Sequence, residues 1–221
     1  MKASLSKVEK FAKRWERQLR EPAASKIKSA IFPDSPLKHK IDLARTRLKM
    51  QVDRLDQISA RLMERDKNIF NKIVDALAKH DVDRATLYAN ELAELRKMSK
   101  IILFSKLSLE KVLLRLETVR DVGDLVVAMA PVVGVVKAVK SGLAGMLPDA
   151  ERELGELADV LSGLVTDAGE LTGHSPTPEV TEEAKKILEE AMAIAEQRMR
   201  EKLPEIPMTG TSASDKERAS R

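Results

Sequence analysis

The sequence contains no cysteine and only six aromatic residues among 221. The lack of cysteine excludes a disulfide scaffold, a thiolate metal site and a cysteine nucleophile. A phosphate-binding glycine loop, a dinucleotide fingerprint and a nucleophile elbow are also missing. The three histidines, His39, His80 and His174, are too far apart in the sequence to suggest a metal site. We therefore expect a protein without catalytic residues, metal or cofactor.

The charge is unevenly distributed, although the net charge is only +4. Residues 1–120 carry a net charge of +12, residues 121–147 are neutral, and residues 148–221 carry −8. A basic first half favours an anionic partner, and an acidic end can fold back onto it. The alternative interpretation is two solvated helical surfaces of different sign.

Two long apolar stripes predict a helical hairpin at the centre of an all-α protein. Apolar residues recur every seven positions through residues 37–79, a stretch without proline or glycine. A second stripe continues to residue 120, and Asp81 or Asp83 can cap the second helix. Because the connection is short, the two helices should lie antiparallel over 37–120.

Residues 121–147 are rich in valine, alanine and glycine, and their longest uncharged run has twelve residues. That run is too short to span a bilayer. We interpret this segment as a broken, mobile helical elbow with a hinge at Gly123, Pro131 and Gly134. The segments expected after it are an acidic helix (148–172), a linker (173–178), a C-terminal helix (179–201), a proline-containing motif (202–208) and a disordered tail (209–221).

Residues 1–20 predict a basic amphipathic helix, followed by a proline-containing linker over 21–36. Its apolar side carries the only tryptophan, and lysine and arginine fill the remaining surface. Such a segment suits the headgroup boundary of an anionic membrane. Packing onto the hairpin is one alternative; nucleic acid is another, disfavoured because few aromatic residues lie between the basic ones. The predicted membrane-binding residues are Leu5, Lys7, Val8, Lys10, Phe11, Lys13, Arg14, Trp15, Arg17 and Leu19.

The string Lys-Leu-Pro-Glu-Ile-Pro at 202–207 follows the last predicted helix. Its two prolines favour an extended backbone. Leu203 and Ile206 can then serve as apolar anchors in the groove of a partner. Taken alone, such a string can equally be an inert helix terminator.

With these segments in this order, the chain resembles the ESCRT-III-like family, and within it the archaeal cell-division (Cdv) B-type subunits. The resemblance extends from residue 1 to about residue 208. It implies a cytoplasmic, peripheral membrane protein of the mid-cell division site that forms filaments with itself and with paralogous ESCRT-III-like subunits. It also implies that the MIT domain of an AAA+ ATPase binds the tail through Lys202, Leu203, Pro204, Ile206 and Pro207.

Nothing after Pro207 resembles a folded segment, so we expect a shorter paralogue without the C-terminal adaptor-binding segment. In the closed monomer the acidic region 148–201 is expected to cover the basic hairpin, and its displacement would open the elbow. Two other functions remain open. They are a coiled-coil cytoskeletal scaffold without membrane activity and a basic nucleoid-associated protein.

Overall fold

The structure, a computed structural model, describes residues 36–118, 122–172 and 182–206. Within these residues the chain forms helices and no strand, which confirms the all-α prediction. The chain divides into residues 1–42 and 43–221, and the packing described below lies within the second unit. The helices are α1 (Pro36–Ala78), α2 (Val82–Thr118), α3 (Val122–Leu143), α4 (Pro148–Thr172) and α5 (Glu182–Lys202).

Helices α1 and α2 form the predicted antiparallel hairpin. Their 43 and 37 residues correspond to lengths of about 65 and about 55 Å. Across the hairpin Arg65 pairs with Glu91 at 2.7 Å, and Arg45 pairs with Glu117 at 3.7 Å. Near the turn the two helices bury one apolar cluster, which we call the turn cluster: Ile69, Ile73, Ala76, Ala85, Leu92 and Leu95.

The hairpin turn combines a helix C-cap with a helix N-cap. The amide of Asp81 donates to the carbonyl of Ala76 at 2.9 Å, as in a Schellman motif. His80 precedes it with φ of 56°, in the left-handed region. Asp81 Oδ1 then accepts from the amide of Arg84 at 3.1 Å. Of the two predicted caps of α2, the structure therefore selects Asp81 and not Asp83.

Helix α3 is continuous through Pro131, so the interruption expected within the elbow is not found there. Proline removes one backbone donor and disfavours a helix interior. The helix nevertheless persists because it contacts α2, α4 and α5, and most of its residues described between positions 129 and 143 are buried. Pro131 and Gly134 are themselves buried. The fully or almost fully buried apolar residues of α3 are Met129, Val132, Val133, Val135, Val136, Val139 and Leu143.

Helix α4 packs along α3 and also reaches α1 through its acidic N-terminal end. Arg54 of α1 pairs with Asp149 and with Glu153, each at 3.2 Å. Gln51 donates a hydrogen bond to the same Glu153. The acidic helix predicted over 148–172 is therefore present, and its charge is directed at a basic residue of the hairpin.

Candidate tail-docking surface on the hairpin

Helix α5 lies along α2 on an apolar seam. Ala191 and Ala195 are fully buried against Leu103 and Leu107. Because the two alanine side chains are small, the backbones of α2 and α5 can approach closely at this point. The half-buried side chains that border the seam are Phe104, Ile194 and Met199.

Three ion pairs flank this seam and set the direction of α5. Residue numbers rise along α5 as they fall along α2, so the helices are antiparallel. All three pairs are partly exposed to solvent, which weakens the attraction within an ion pair. They therefore determine register and charge matching more than stability. The pairs are Arg115–Glu183 at 2.6 Å, Lys111–Glu190, and Lys100–Glu196 at 2.7 Å.

The pairing also changes the acidity of two carboxyl groups of α5. The hydrogen bond from Lys111, with its charge, lowers the pKa of Glu190 below its ordinary value. Lys100 lowers the pKa of Glu196 by the same two causes. The pairing therefore further favours the ionised form of both glutamates while α5 is in place.

Beyond α5 the chain continues onto the hairpin as a short non-helical segment. The guanidinium of Arg96 donates from Nε and Nη2 to the two carboxylate oxygens of Asp66, at 2.7 and 3.1 Å. Its remaining nitrogen, Nη1, donates to the carbonyl oxygen of Pro204 at 2.7 Å. Ile206 packs against the turn cluster. We call this surface, formed by Asp66, Arg96 and the turn cluster, the tail-docking surface.

The structure places two of the predicted ATPase-binding residues, Pro204 and Ile206, on this surface. Leu203 and Ile206 are half-buried, whereas Pro204 is exposed and contributes its carbonyl. Lys202 is the last residue of α5 and is exposed. Pro207 lies outside the described residues.

Other predicted sites are not brought to this surface. The ten predicted membrane-binding residues between Leu5 and Leu19 lie outside the described residues, as do the linker 173–178 and the tail 209–221. Gly123, Pro131 and Gly134 all lie within α3, and their role as a hinge stays a prediction.

Asp66 and Arg96 are the functional candidates that the sequence reasoning missed. Asp66 is 1% exposed, and it occupies a core position three residues before Ile69 and seven before Ile73. An acidic residue in that register needs a buried partner because burial of an unpaired charge is costly. In an antiparallel hairpin, Arg96 on α2 lies about as far from the turn as Asp66 does on α1, and it carries the opposite charge. That signal was available in the sequence.

Among the described residues, none of the helices is long and apolar enough to cross a membrane. The same part of the chain holds no group of acidic or histidine side chains that could bind a metal ion.

A hairpin of two long helices with shorter helices folded against it is an ESCRT-III-like all-α architecture. The chain is 42% identical to Cell division protein B1 of Sulfolobus acidocaldarius over 207 residues. The aligned region covers 93% of this chain and 94% of that relative. It is 36% identical over 187 residues to Cell division protein B of the same organism, covering 81% of this chain and 72% of the relative. The chain therefore belongs to the family of archaeal B-type cell division proteins. No protein-family profile and no solved structure matches it.

Proposed function

We propose that this protein is an ESCRT-III-like subunit that polymerises into filaments on anionic membrane, and constricts and cuts the membrane during archaeal cell division. Membership of the family supports the role in cell division, and favours a structural rather than an enzymatic one. In this proposal the protein works at mid-cell as a peripheral membrane protein of the cytoplasm. An AAA+ ATPase then disassembles the filaments.

The observation that carries this proposal is the position of α5 on α2. Glu183, Glu190 and Glu196 neutralise three basic residues of the hairpin. A hairpin covered in this way presents less positive charge to lipid and less surface to a neighbouring subunit. The arrangement therefore suits a closed, autoinhibited subunit that opens when membrane or a neighbour displaces α5.

Apolar side chains left exposed on the hairpin supply a surface for filament contacts. Met50 on α1 and Leu114 on α2 are each 62% exposed, and Leu43 is 39% exposed. All three lie toward the end of the hairpin that is remote from its turn. Lateral packing of hairpins would bury these side chains, and each fully buried leucine or methionine contributes about 1.5–3 kcal/mol.

Membrane binding is assigned to the basic amphipathic residues 1–20, with Phe11 and Trp15 in the lipid interface. ATPase recruitment is assigned to the proline-containing tail, which an MIT domain would bind. A titration of a 195–221 peptide against the isolated MIT domain tests this assignment. Leu203→Asp should abolish the binding, since an apolar anchor is replaced by a charge.

The closed state is tested by reversing charges on α5 in the full chain. Glu190→Lys with Glu196→Lys places lysine against Lys111 and Lys100, and should release α5. The matched control is Glu189→Lys with Glu201→Lys, which makes the same charge change at residues whose interactions are with Lys185 and Gln197 of α5 itself. We expect more filaments and more liposome binding from the first variant only, measured by negative-stain microscopy and flotation with anionic vesicles.

The filament and flotation measurements, together with a DNA-binding measurement, separate the alternatives. Filaments that form equally with and without vesicles, and do not float with them, would identify a coiled-coil scaffold. Steeply salt-dependent binding to DNA that persists when Trp15 is changed would identify a nucleoid-associated protein. Equal behaviour of the two charge-reversal variants would refute autoinhibition by α5.

A further inference from the structure

The buried pair of Asp66 and Arg96 has a feature that hairpin stability alone does not require. Two of the guanidinium nitrogens satisfy the carboxylate, and this already compensates the buried charge of Asp66. The third nitrogen points out of the pair toward the tail and holds the carbonyl of Pro204. Arginine can do this because its planar fork presents donors in several fixed directions.

The tail is held at two points that lie on either side of an exposed stretch. The backbone of Pro204 is bound by Arg96, and the side chain of Ile206 packs on the turn cluster. Between them Glu205 is exposed. This pattern of one backbone hydrogen bond and one apolar anchor is that of an extended peptide bound in a groove.

We propose that the tail-docking surface is a receptor for the chain's own segment 203–206, and that the hairpin and the ATPase compete for this segment. The competition rests on the proposed recruitment of an MIT domain by the same residues; the docking does not. An MIT domain that takes Leu203 and Ile206 as anchors cannot bind them while Ile206 lies on the turn cluster. The ATPase therefore engages only subunits whose tail has left the hairpin.

Docking is tested by a single spin label. Because the chain has no cysteine, Glu205→Cys creates a unique labelling site at an exposed position. We expect a slowly moving label in the full chain. Arg96→Lys keeps a cation beside Asp66 but removes the fork, and should make the label fast. Arg84→Lys, at an exposed arginine paired with Asp81, is the matched control and should leave the label slow.

A second variant keeps the test valid if Arg96→Lys disturbs the hairpin. Ile206→Ser alters only the tail, so the hairpin stays intact, and it should also make the label fast. The docking is overturned if the label on Glu205→Cys moves as fast in the chain without a further substitution as it does in the chain that also carries Ile206→Ser.

Competition is tested by the affinity of the full chain for an isolated MIT domain. Loss of one charge-assisted hydrogen bond should tighten MIT binding to the Arg96→Lys chain by about tenfold, which corresponds to about 1.4 kcal/mol. The competition is overturned if Arg96→Lys makes the label fast but leaves the affinity of the full chain for the MIT domain unchanged. If even the 195–221 peptide fails to bind, ATPase recruitment and the competition are both overturned, while the label still decides whether the tail docks.

Discussion

Arg115 in the last turn of α2 holds Glu183 in the first turn of α5, with 2.6 Å between guanidinium nitrogen and carboxylate oxygen. The arginine lies at the negative end of the α2 dipole, and the glutamate lies at the positive end of the α5 dipole. Each charge therefore complements its own helix as well as its partner. The pair fixes where α5 begins on the hairpin, and the positions of Glu190 and Glu196 follow from that start.

The ion pairs of α5 predict a specific pH dependence. The folded-state pKa values of Glu190 and Glu196 are lowered, so their contribution to stability is present above the unfolded value of about 4.3 and is lost as pH falls through the folded values. We expect the Glu190→Gln, Glu196→Gln double variant to have a lower free energy of unfolding than the unsubstituted chain at pH 7. The difference should vanish at an acidic pH below the folded-state values, where both glutamates are protonated. Urea denaturation at both pH values measures it, and a difference that persists in acid would contradict the assignment.

The apolar seam predicts a contrast between two alanines of one helix. Ala191 is fully buried against α2, whereas Ala193 is exposed. Ala191→Leu overpacks the seam and should cost about 1–3 kcal/mol, or expel α5 from the hairpin. Ala193→Leu should change stability by less than about 0.5 kcal/mol. Thermal unfolding compares the two, and filament formation by the Ala191 variant shows whether the released hairpin assembles. Equal effects of the two substitutions would mean that the seam is not tightly packed.

The two left-handed residues predict substitutions of opposite effect. His80 adopts φ of 56° at the end of α1, so His80→Gly should stabilise the protein by about 1 kcal/mol and raise Tm by about 2–4 °C. His80→Ala keeps the strained conformation and should give no such gain. Gly145 adopts φ of 75° between α3 and α4, and a Cβ there would contact nothing within 4 Å. Gly145→Ala should therefore cost about 1 kcal/mol through the backbone alone. Calorimetry tests all three.

From the basic amphipathic helix that the sequence predicts over residues 1–20, we expect a loss of membrane binding on substitution. Changing Phe11 and Trp15 together to Asp places two charges on the predicted apolar face and should abolish flotation with anionic vesicles. Ala23→Asp with Ala24→Asp adds the same charge in the predicted linker, and should reduce flotation only slightly. Unchanged flotation of the Phe11, Trp15 variant would exclude this helix as the membrane anchor.

Much of the architecture follows from the sequence by itself, because local periodicity and helix-stop signals decide it. The seven-residue stripe, the missing proline and glycine, and a cap at Asp81 or Asp83 locate α1 and α2 to within two residues of their observed ends. The uneven charge also predicts an acidic region lying on the basic hairpin, and α5 occupies that position on α2.

Tertiary structure decided what local signals could not. Pro131 indicates a break when the sequence is read locally, yet α3 stays continuous because three neighbouring helices bury its valines. The sequence marks Asp66 as a charge at a core position of α1. The folded hairpin shows that Arg96, 30 positions along the chain, is bound to it, and that the tail joins the pair from 108 positions beyond Arg96. Periodicity determines which face of a helix is buried. Long-range packing determines which helix covers that face. It also determines which groups form hydrogen bonds with a buried charge.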